Sequence, residues 1–299
     1  MNFDDKLSLF RDLTQLGSYT AMHWYLSPEP PAAETGVPLV EDVLNSQDYL
    51  QASDKDQWLR RALLVDKEGA ALVRTLTVGQ RDNSLWGAHR KYRITASNFG
   101  VVISSIKRNR FPPSLFKRLT NTYDLSKKDA IIWGTVNEQV AICKYTDGGA
   151  EVEPTGLWLH TSGALGASQD AIIRVPLATG FHHQDSMQPN RQDLPEILEV
   201  KCPFAARDKT VDEAIQEVPD FCLERKDGCV RLKPDHDYYH QVQGQLQICE
   251  KSACDLLVST PKDYVVIRIQ RDTDWLPNLD HLLNFYFQRF IMHVLSLSC

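Results

Sequence analysis

Leu198-Glu199-Val200-Lys201-Cys202-Pro203 decides how the rest of the chain is read. It continues Pro195-Glu196-Ile197, and Asp170 stands upstream in Gly166-Ala167-Ser168-Gln169-Asp170, leading into Ala171-Ile172-Ile173-Arg174-Val175. Both flanks are short, apolar and β-rich between turn residues, so each predicts a strand. Side chains at i and i+2 of a strand share a face, which pairs Glu199 with Lys201 and turns Val200 to the core. If the two strands pair, Asp170 joins them, placing two carboxylates and an ammonium at one point. Carboxylates of this kind hold a hard divalent cation, and Lys201 can orient a water or help deprotonate it. Alone, Glu-x-Lys is also a common solvated strand face, so the other segments must decide.

The chain has 299 residues and 42% hydrophobic content, enough for one large domain or a domain with a smaller helical appendage. No apolar run approaches the ~20 residues that span a bilayer. The acidic start Met1-Asn2-Phe3-Asp4-Asp5-Lys6 lacks an apolar signal core. The expectation is an intracellular protein, nuclear or cytoplasmic, neither secreted nor membrane-bound. Seven cysteines (143, 202, 222, 229, 249, 254, 299) include no CxxC pair. They read as reduced thiols and argue against a disulfide framework, a zinc knuckle or an iron–sulfur cluster.

Net charge is −6, which taken globally disfavours a polyanionic partner. Its distribution points the other way. Arg90 to Lys144 holds eleven Lys and Arg against Asp124, Asp129 and Glu138, an excess of eight that leaves −14 on the remainder. Such a segment is the footprint of a phosphate-binding surface or, equally, a solvated helical face.

Along the chain, residues 3–17 predict an amphipathic helix, and the four prolines of 27–38 a linker. Helices are expected near 39–50, 54–65, 68–90, 98–106, after Pro112-Pro113, over 129–145 and 238–249, and from 276 to about 297. Strands are expected over 151–161, 165–175, 196–202, 253–259 and 264–269, with a polar loop at 179–193. Helices, a strand meander, helix, strands and helix describe an α/β sandwich around a mixed sheet. A helical N-terminal extension, 1–70, is expected to precede a main domain, 71–299.

Three further segments carry candidate chemistry. Arg90-Lys91-Tyr92-Arg93-Ile94-Thr95-Ala96-Ser97 sets arginines beside a capping hydroxyl at a helix N-terminus, which suits a phosphate. Trp133-Gly134-Thr135-Val136-Asn137-Glu138 puts a carboxylate in mid-helix with Ile142 at i+4, so no helical ion pair explains it. Tyr238-Tyr239-His240-Gln241-Val242-Gln243-Gly244-Gln245-Leu246-Gln247 sets Gln241 and Gln245 one turn apart, with Gln241 able to reach a phosphate or a water.

In this order the pieces resemble the YqaJ-type viral recombinase family, the lambda-exonuclease-like branch of the PD-(D/E)xK nucleases. The likeness runs from about Thr77 to about Phe290. It is most specific in Arg93-Ile94-Thr95-Ala96-Ser97-Asn98-Phe99-Gly100, Glu199-Val200-Lys201-Cys202-Pro203 and Tyr239-His240-Gln241-Val242-Gln243-Gly244-Gln245-Leu246. Thr77-Val78-Gly79-Gln80 with Trp86 and Arg90, and Thr260-Pro261-Lys262-Asp263, look most like its animal members.

The resemblance implies a restriction-endonuclease-like α/β core whose central mixed sheet is flanked by helices. It implies Asp170, Glu199, Glu138 and the Val200 carbonyl as ligands of Mg²⁺, two ions in all, with Mn²⁺ a substitute. Lys201 would position the attacking water. Arg90, Arg93, Ser97, Ser168 and Gln241 would bind the terminal or scissile phosphate. The chain departs from the family's Ser-Pro-Asp-Gly in having Ser168-Gln169-Asp170-Ala171, which changes the turn and keeps the ligand. The implied activity is 5′→3′ hydrolysis of duplex DNA from 5′-phosphorylated ends. A structure-selective endonuclease on DNA or RNA and an inactive DNA-end-binding recombination module are the alternatives. Both a monomer and a ring-type homo-oligomer stay open. Asp170, Glu199 and Lys201 are expected to lie outside the core.

Overall fold

Five strands form the central sheet of the computed structural model, which describes residues 36–120, 128–177 and 196–297. In chain order the strands are β1 (Ile94–Thr95), β2 (Glu151–Glu153), β3 (Trp158–Leu159), β4 (Leu165–Ala167), β5 (Ala171–Val175), β6 (Ile197–Lys201), β7 (Leu223–Lys226), β8 (Cys229–Leu232), β9 (Ala253–Ser259) and β10 (Tyr264–Gln270). The large sheet has the order β10-β9-β6-β5-β2, with β6 and β9 parallel and the other pairs antiparallel. Parallel neighbours need a long crossover. Here it contains the helix Val211–Glu217, the β7–β8 hairpin and the helix Asp237–Ile248.

Helices cover both faces of this sheet. On one, Val242 and Leu246 of the Asp237–Ile248 helix pack with Ile197, Cys254, Leu256 and Val258. On the other, Ala141 and Tyr145 of the Asp129–Asp147 helix pack with Leu198, Val200 and Leu257. Each fully buried aliphatic side chain contributes about 1.5–3 kcal/mol. The strand alternation of β6 therefore turns Leu198 and Val200 to one helix and Ile197, Glu199 and Lys201 to the other.

The stretch expected as one helix over 68–90 is broken. It runs as Lys67–Leu76, a 3₁₀ turn at Gln80–Asp82, and Ser84–Arg90. Gly79 at φ 93° and Gln80 at φ 46° are left-handed and cannot continue a right-handed helix. Asn83 closes the break, donating to Leu76 O (2.7 Å) and Val78 O (2.9 Å) and accepting from Leu85 N (3.0 Å).

The strands expected over 151–161 and 165–175 are each split. Pro154 and Gly156 interrupt the first, and Gly156 passes so close to the Arg74 carbonyl that a Cβ would lie 2.2 Å from it. The second breaks at Ser168-Gln169-Asp170, where the chain leaves the small β1-β4-β3 sheet for the large one. The β7–β8 hairpin was not expected, although Asp227-Gly228 (φ 51° and 79°) is the residue pair a tight hairpin turn demands. Nor was the Val211–Glu217 helix, which opens on a Thr210–Glu213 capping box.

Residues 37–70 do not form an appendage. The compact unit begins at Val37. Val40, Leu44, Tyr49, Leu59 and Leu63 share a core with Phe99, Val102, Tyr286 and Phe290. The expected helix at 3–17, most of the 27–38 linker and the 179–193 loop lie outside the described residues. The closing helix runs from Pro277 to Ser296 with a π-helical stretch at Tyr286–Phe290. No helix among the described residues is long and apolar enough to cross a membrane. Cys143, Cys202, Cys222, Cys229, Cys249 and Cys254 are free thiols.

The Phe99–Lys107 and Asp237–Ile248 helices approach at two glycines. A Cβ on Gly100 would lie 2.6 Å from Asp237 Cα, and one on Gly244 would lie 2.3 Å from Phe99 Cδ2. Gly100→Ala is therefore expected to cost about 1–3 kcal/mol, read as a lower urea midpoint. An unchanged midpoint would contradict this close approach.

Candidate active site

Asp170 and β6 meet as the spacing suggested. The Asp170 N–H donates to Leu198 O (3.1 Å), and Asp170 Oδ2 accepts from Val200 N (2.6 Å). Ala171 then pairs with Leu198 across the antiparallel ladder. Asp170 is thus fixed beside the end of β6 from which Glu199 and Lys201 project.

Glu199 is buried, at 2% exposure, contrary to the expectation that it lies outside the core. A carboxylate so placed must be hydrogen-bonded. Its Oε1 accepts from Lys201 Nζ (2.7 Å) and Gln241 Nε2 (2.6 Å), and its Oε2 from Gln245 Nε2 (2.7 Å). Lys201 Nζ also donates to Gln241 Oε1 (3.1 Å) and lies 4.5 Å from the centre of the Tyr238 ring. Gln241, expected at a phosphate or at the attacking water, hydrogen-bonds both Glu199 and Lys201. The glutamine run divides by helix face. Gln241 and Gln245 serve this site, whereas Gln243 and Gln247 bond the backbone of Gln270 and Asp272.

Next to this centre is a basic pocket. Arg90 Nη1 donates to Ser168 Oγ (3.4 Å) and Nη2 to Thr95 Oγ1 (3.2 Å), while its guanidinium lies 4.0 Å from the Trp86 ring centre. Trp86 Nε1 donates to Ser168 Oγ (3.0 Å), and Ser97 Oγ lies 3.3 Å from Thr95 Oγ1. Neither Thr95 nor Ser97 caps the following helix with its side chain. Their hydroxyls stand with Arg90, two residues apart on a buried strand and its exit.

Arg93 does not belong to the pocket. It is 3% exposed, and Nε, Nη1 and Nη2 donate to the carbonyls of Gly163 (2.7 Å), His89 (2.6 Å) and Pro38 (3.0 Å). A guanidinium so buried ties three backbone segments together. The sequence carried no sign of this, since its partners are carbonyls distant along the chain.

Burial, reinforced by the charges of Glu199 and Glu138, pushes the Asp170 carboxyl well above its usual range. Burial likewise raises Glu138, against the pull of Arg81 and with a push from Glu199. Burial alone would lower Lys201, but Glu199, Tyr238 and Asp170 reverse this and hold it above the ordinary lysine value. Lys201 is therefore an ammonium, with donors and no lone pair. Burial, then Arg81, lowers Arg90 to about 10, still charged at neutral pH.

No three His, Cys, Asp or Glu side chains among the described residues stand as a ready metal cage. The ammonium of Lys201 sits on Glu199 instead. Even so, the donor set is hard oxygen, and the mutual repulsion of Asp170, Glu199 and Glu138 is what a divalent cation relieves. Those residues fit such an ion.

A carboxyl held above its ordinary value stabilises the fold while protonated, and that contribution is lost as pH rises from about 4 through the raised value. Without divalent cations, the melting temperature should fall as pH rises above about 4. Asp170→Asn should flatten that fall and melt higher at the alkaline end. Equal slopes for both proteins would contradict the repulsion.

The family model for the YqaJ-like viral recombinase domain matches residues 85–252, a span holding Arg90, Ser97, Glu138, Ser168, Asp170, Glu199, Lys201, Gln241 and Gln245. An alkaline nuclease of Orgyia pseudotsugata multicapsid polyhedrosis virus is 26% identical over 255 residues, covering 76% of this chain and 53% of that protein. The chain thus spans about half the length of that relative. Among solved structures, the alkaline exonuclease LHK-Exo from Laribacter hongkongensis is 21% identical, with TM-score 0.47 over 72% of this chain and 96% of that one. The Shutoff and Exonuclease Protein from Kaposi's sarcoma-associated herpesvirus is 12% identical, with TM-score 0.43 over 97% and 92%. With more than half of its length matched, the chain belongs to the YqaJ-like viral recombinase domain family.

Proposed function

We propose that this chain is a divalent-cation-dependent deoxyribonuclease that degrades duplex DNA from its ends in the 5′→3′ direction. The observation that carries the reading is the Glu199–Lys201–Gln241–Gln245 network beside Asp170 and Glu138, with the Arg90 pocket adjoining it. The name of the polyhedrosis virus relative, alkaline nuclease, agrees with the reaction class.

Asp170, Glu199, Glu138 and the Val200 carbonyl would hold Mg²⁺, two ions in the proposal, with Mn²⁺ able to substitute. When bound, the metal supplies Lewis-acid polarisation of the scissile phosphate and a more acidic water. The protein's own part is positional. Lys201 donates a hydrogen bond to the attacking water or to a phosphoryl oxygen. Gln241 bridges Lys201 and Glu199, so one side chain sets the position of both. Tyr238 shields the ammonium on one side.

Arg90, Ser168 and the Thr95–Ser97 hydroxyls would take the terminal 5′-phosphate. An Arg fork with neighbouring hydroxyls matches a phosphate dianion in shape and charge. Recognition of a terminal phosphate at this cluster favours exonuclease over endonuclease action.

With Mg²⁺, a linear 5′-phosphorylated duplex should be degraded while a covalently closed circle survives. Lys201→Ala should slow this by at least about a hundredfold. Cutting of the circle would replace the exonuclease with an endonuclease, and an active Lys201→Ala protein would refute the site. Arg90→Ala should lose about tenfold on 5′-phosphate ends and little on 5′-hydroxyl ends, in parallel rate measurements. Equal loss on both would remove Arg90 from the phosphate pocket.

A further inference from the structure

The broken helix at Thr77–Asn83 leaves one arginine without an assigned role. Arg81 lies upstream of the span matched by the family model. It is exposed, and its Nη1 donates to Thr135 Oγ1. Thr135 is three residues before Glu138 on the Asp129–Asp147 helix, so the two share a helix face. Gln80, next to Arg81, donates from Nε2 to Gln169 O (2.8 Å) and Thr155 O (3.3 Å). Gln169 adjoins Asp170. The left-handed turn at Gly79-Gln80 is thus stapled to the Asp170 loop by one residue and to the Glu138 helix by the next.

The same turn leads through the Asn83 cap into the helix bearing Trp86 and Arg90. Arg81 is therefore set between the Arg90 pocket and the Glu138 carboxylate, and its charge is felt at both. A single hydrogen bond to Thr135 leaves the other guanidinium donors of Arg81 for a ligand. Two guanidinium groups close to one another, Arg90 and Arg81, suit a bound phosphate in charge and in donor geometry.

We infer that Arg81 is a second phosphate-binding arginine, gripping a phosphodiester of the bound strand between the Arg90 cluster and the Glu138 carboxylate. Gln80 and Thr135 position it. This rests on the nuclease reading above. The ligand is a phosphodiester of the DNA strand, which Arg81 would bind whatever its base sequence.

The test is kcat/KM on a linear 5′-phosphorylated duplex at a series of salt concentrations, for wild type, Arg81→Ala and Arg81→Lys, with melting temperatures alongside. One lost phosphate contact should lower the log–log salt slope of Arg81→Ala by about one. At low salt its kcat/KM should fall roughly tenfold, with melting unchanged. Arg81→Lys should keep the slope and recover part of the rate, because a point charge replaces the fork. An unchanged slope in Arg81→Ala, with or without a lower melting temperature, would overturn the inference and leave Arg81 a tether to Thr135. Wild-type protein that cuts no DNA would overturn the nuclease reading itself, and the inference with it.

Discussion

The structure turns on burying one carboxylate. Glu199 is enclosed between β6 and the Asp237–Ile248 helix, and its two oxygens take three hydrogen bonds from Lys201, Gln241 and Gln245. Removing an ion from water is costly unless such donors replace the water. That requirement fixes the helix against the sheet, because the glutamines must face Glu199 while Val242 and Leu246 bury their apolar surface on the same strands. It also holds Lys201 in an ion pair with Glu199.

Around this pair the fold supplies two further carboxylates from separate directions. Asp170 arrives where the chain switches sheets, held by the Val200 N–H. Glu138 arrives on the helix packed against the opposite face. The alternation of β6 makes this possible, with Glu199 and Lys201 on the face that meets the Asp237–Ile248 helix and Leu198 and Val200 on the other. The resulting excess of negative charge beside positively charged Arg90 and Arg81 is the arrangement a cation-bridged phosphodiester would neutralise.

Much of this was legible in the chain. The i, i+2 spacing of Glu199 and Lys201 and the strand leading from Asp170 were enough to bring the three together. The one-turn spacing of Gln241 and Gln245 put both on one face, although their target, a buried carboxylate, was not legible. What local pattern could not show were partners distant in sequence. Arg93 looks like a phosphate ligand beside Arg90, yet its donors meet the carbonyls of Pro38, His89 and Gly163. The break at Gly79 was hidden within an apolar periodicity that continued across it. The β7–β8 turn is legible in the pair Asp227-Gly228, whose left-handed backbone a tight hairpin requires. Residues 37–70 look separable because their apolar positions find cover from residues distant in sequence, in the core of the Phe99–Lys107 and C-terminal helices and against Leu157 and Leu159.

The central claim is that Asp170, Glu199 and Glu138 hold a divalent cation. The most direct measurement is a titration of the intact protein with Mn²⁺, followed by the electron paramagnetic resonance signal of the free ion and repeated with Asp170→Asn. The account predicts saturable loss of the free-ion signal in the wild type and strongly weakened binding in the variant. An unchanged signal in the wild type, or equal binding by both proteins, would contradict it.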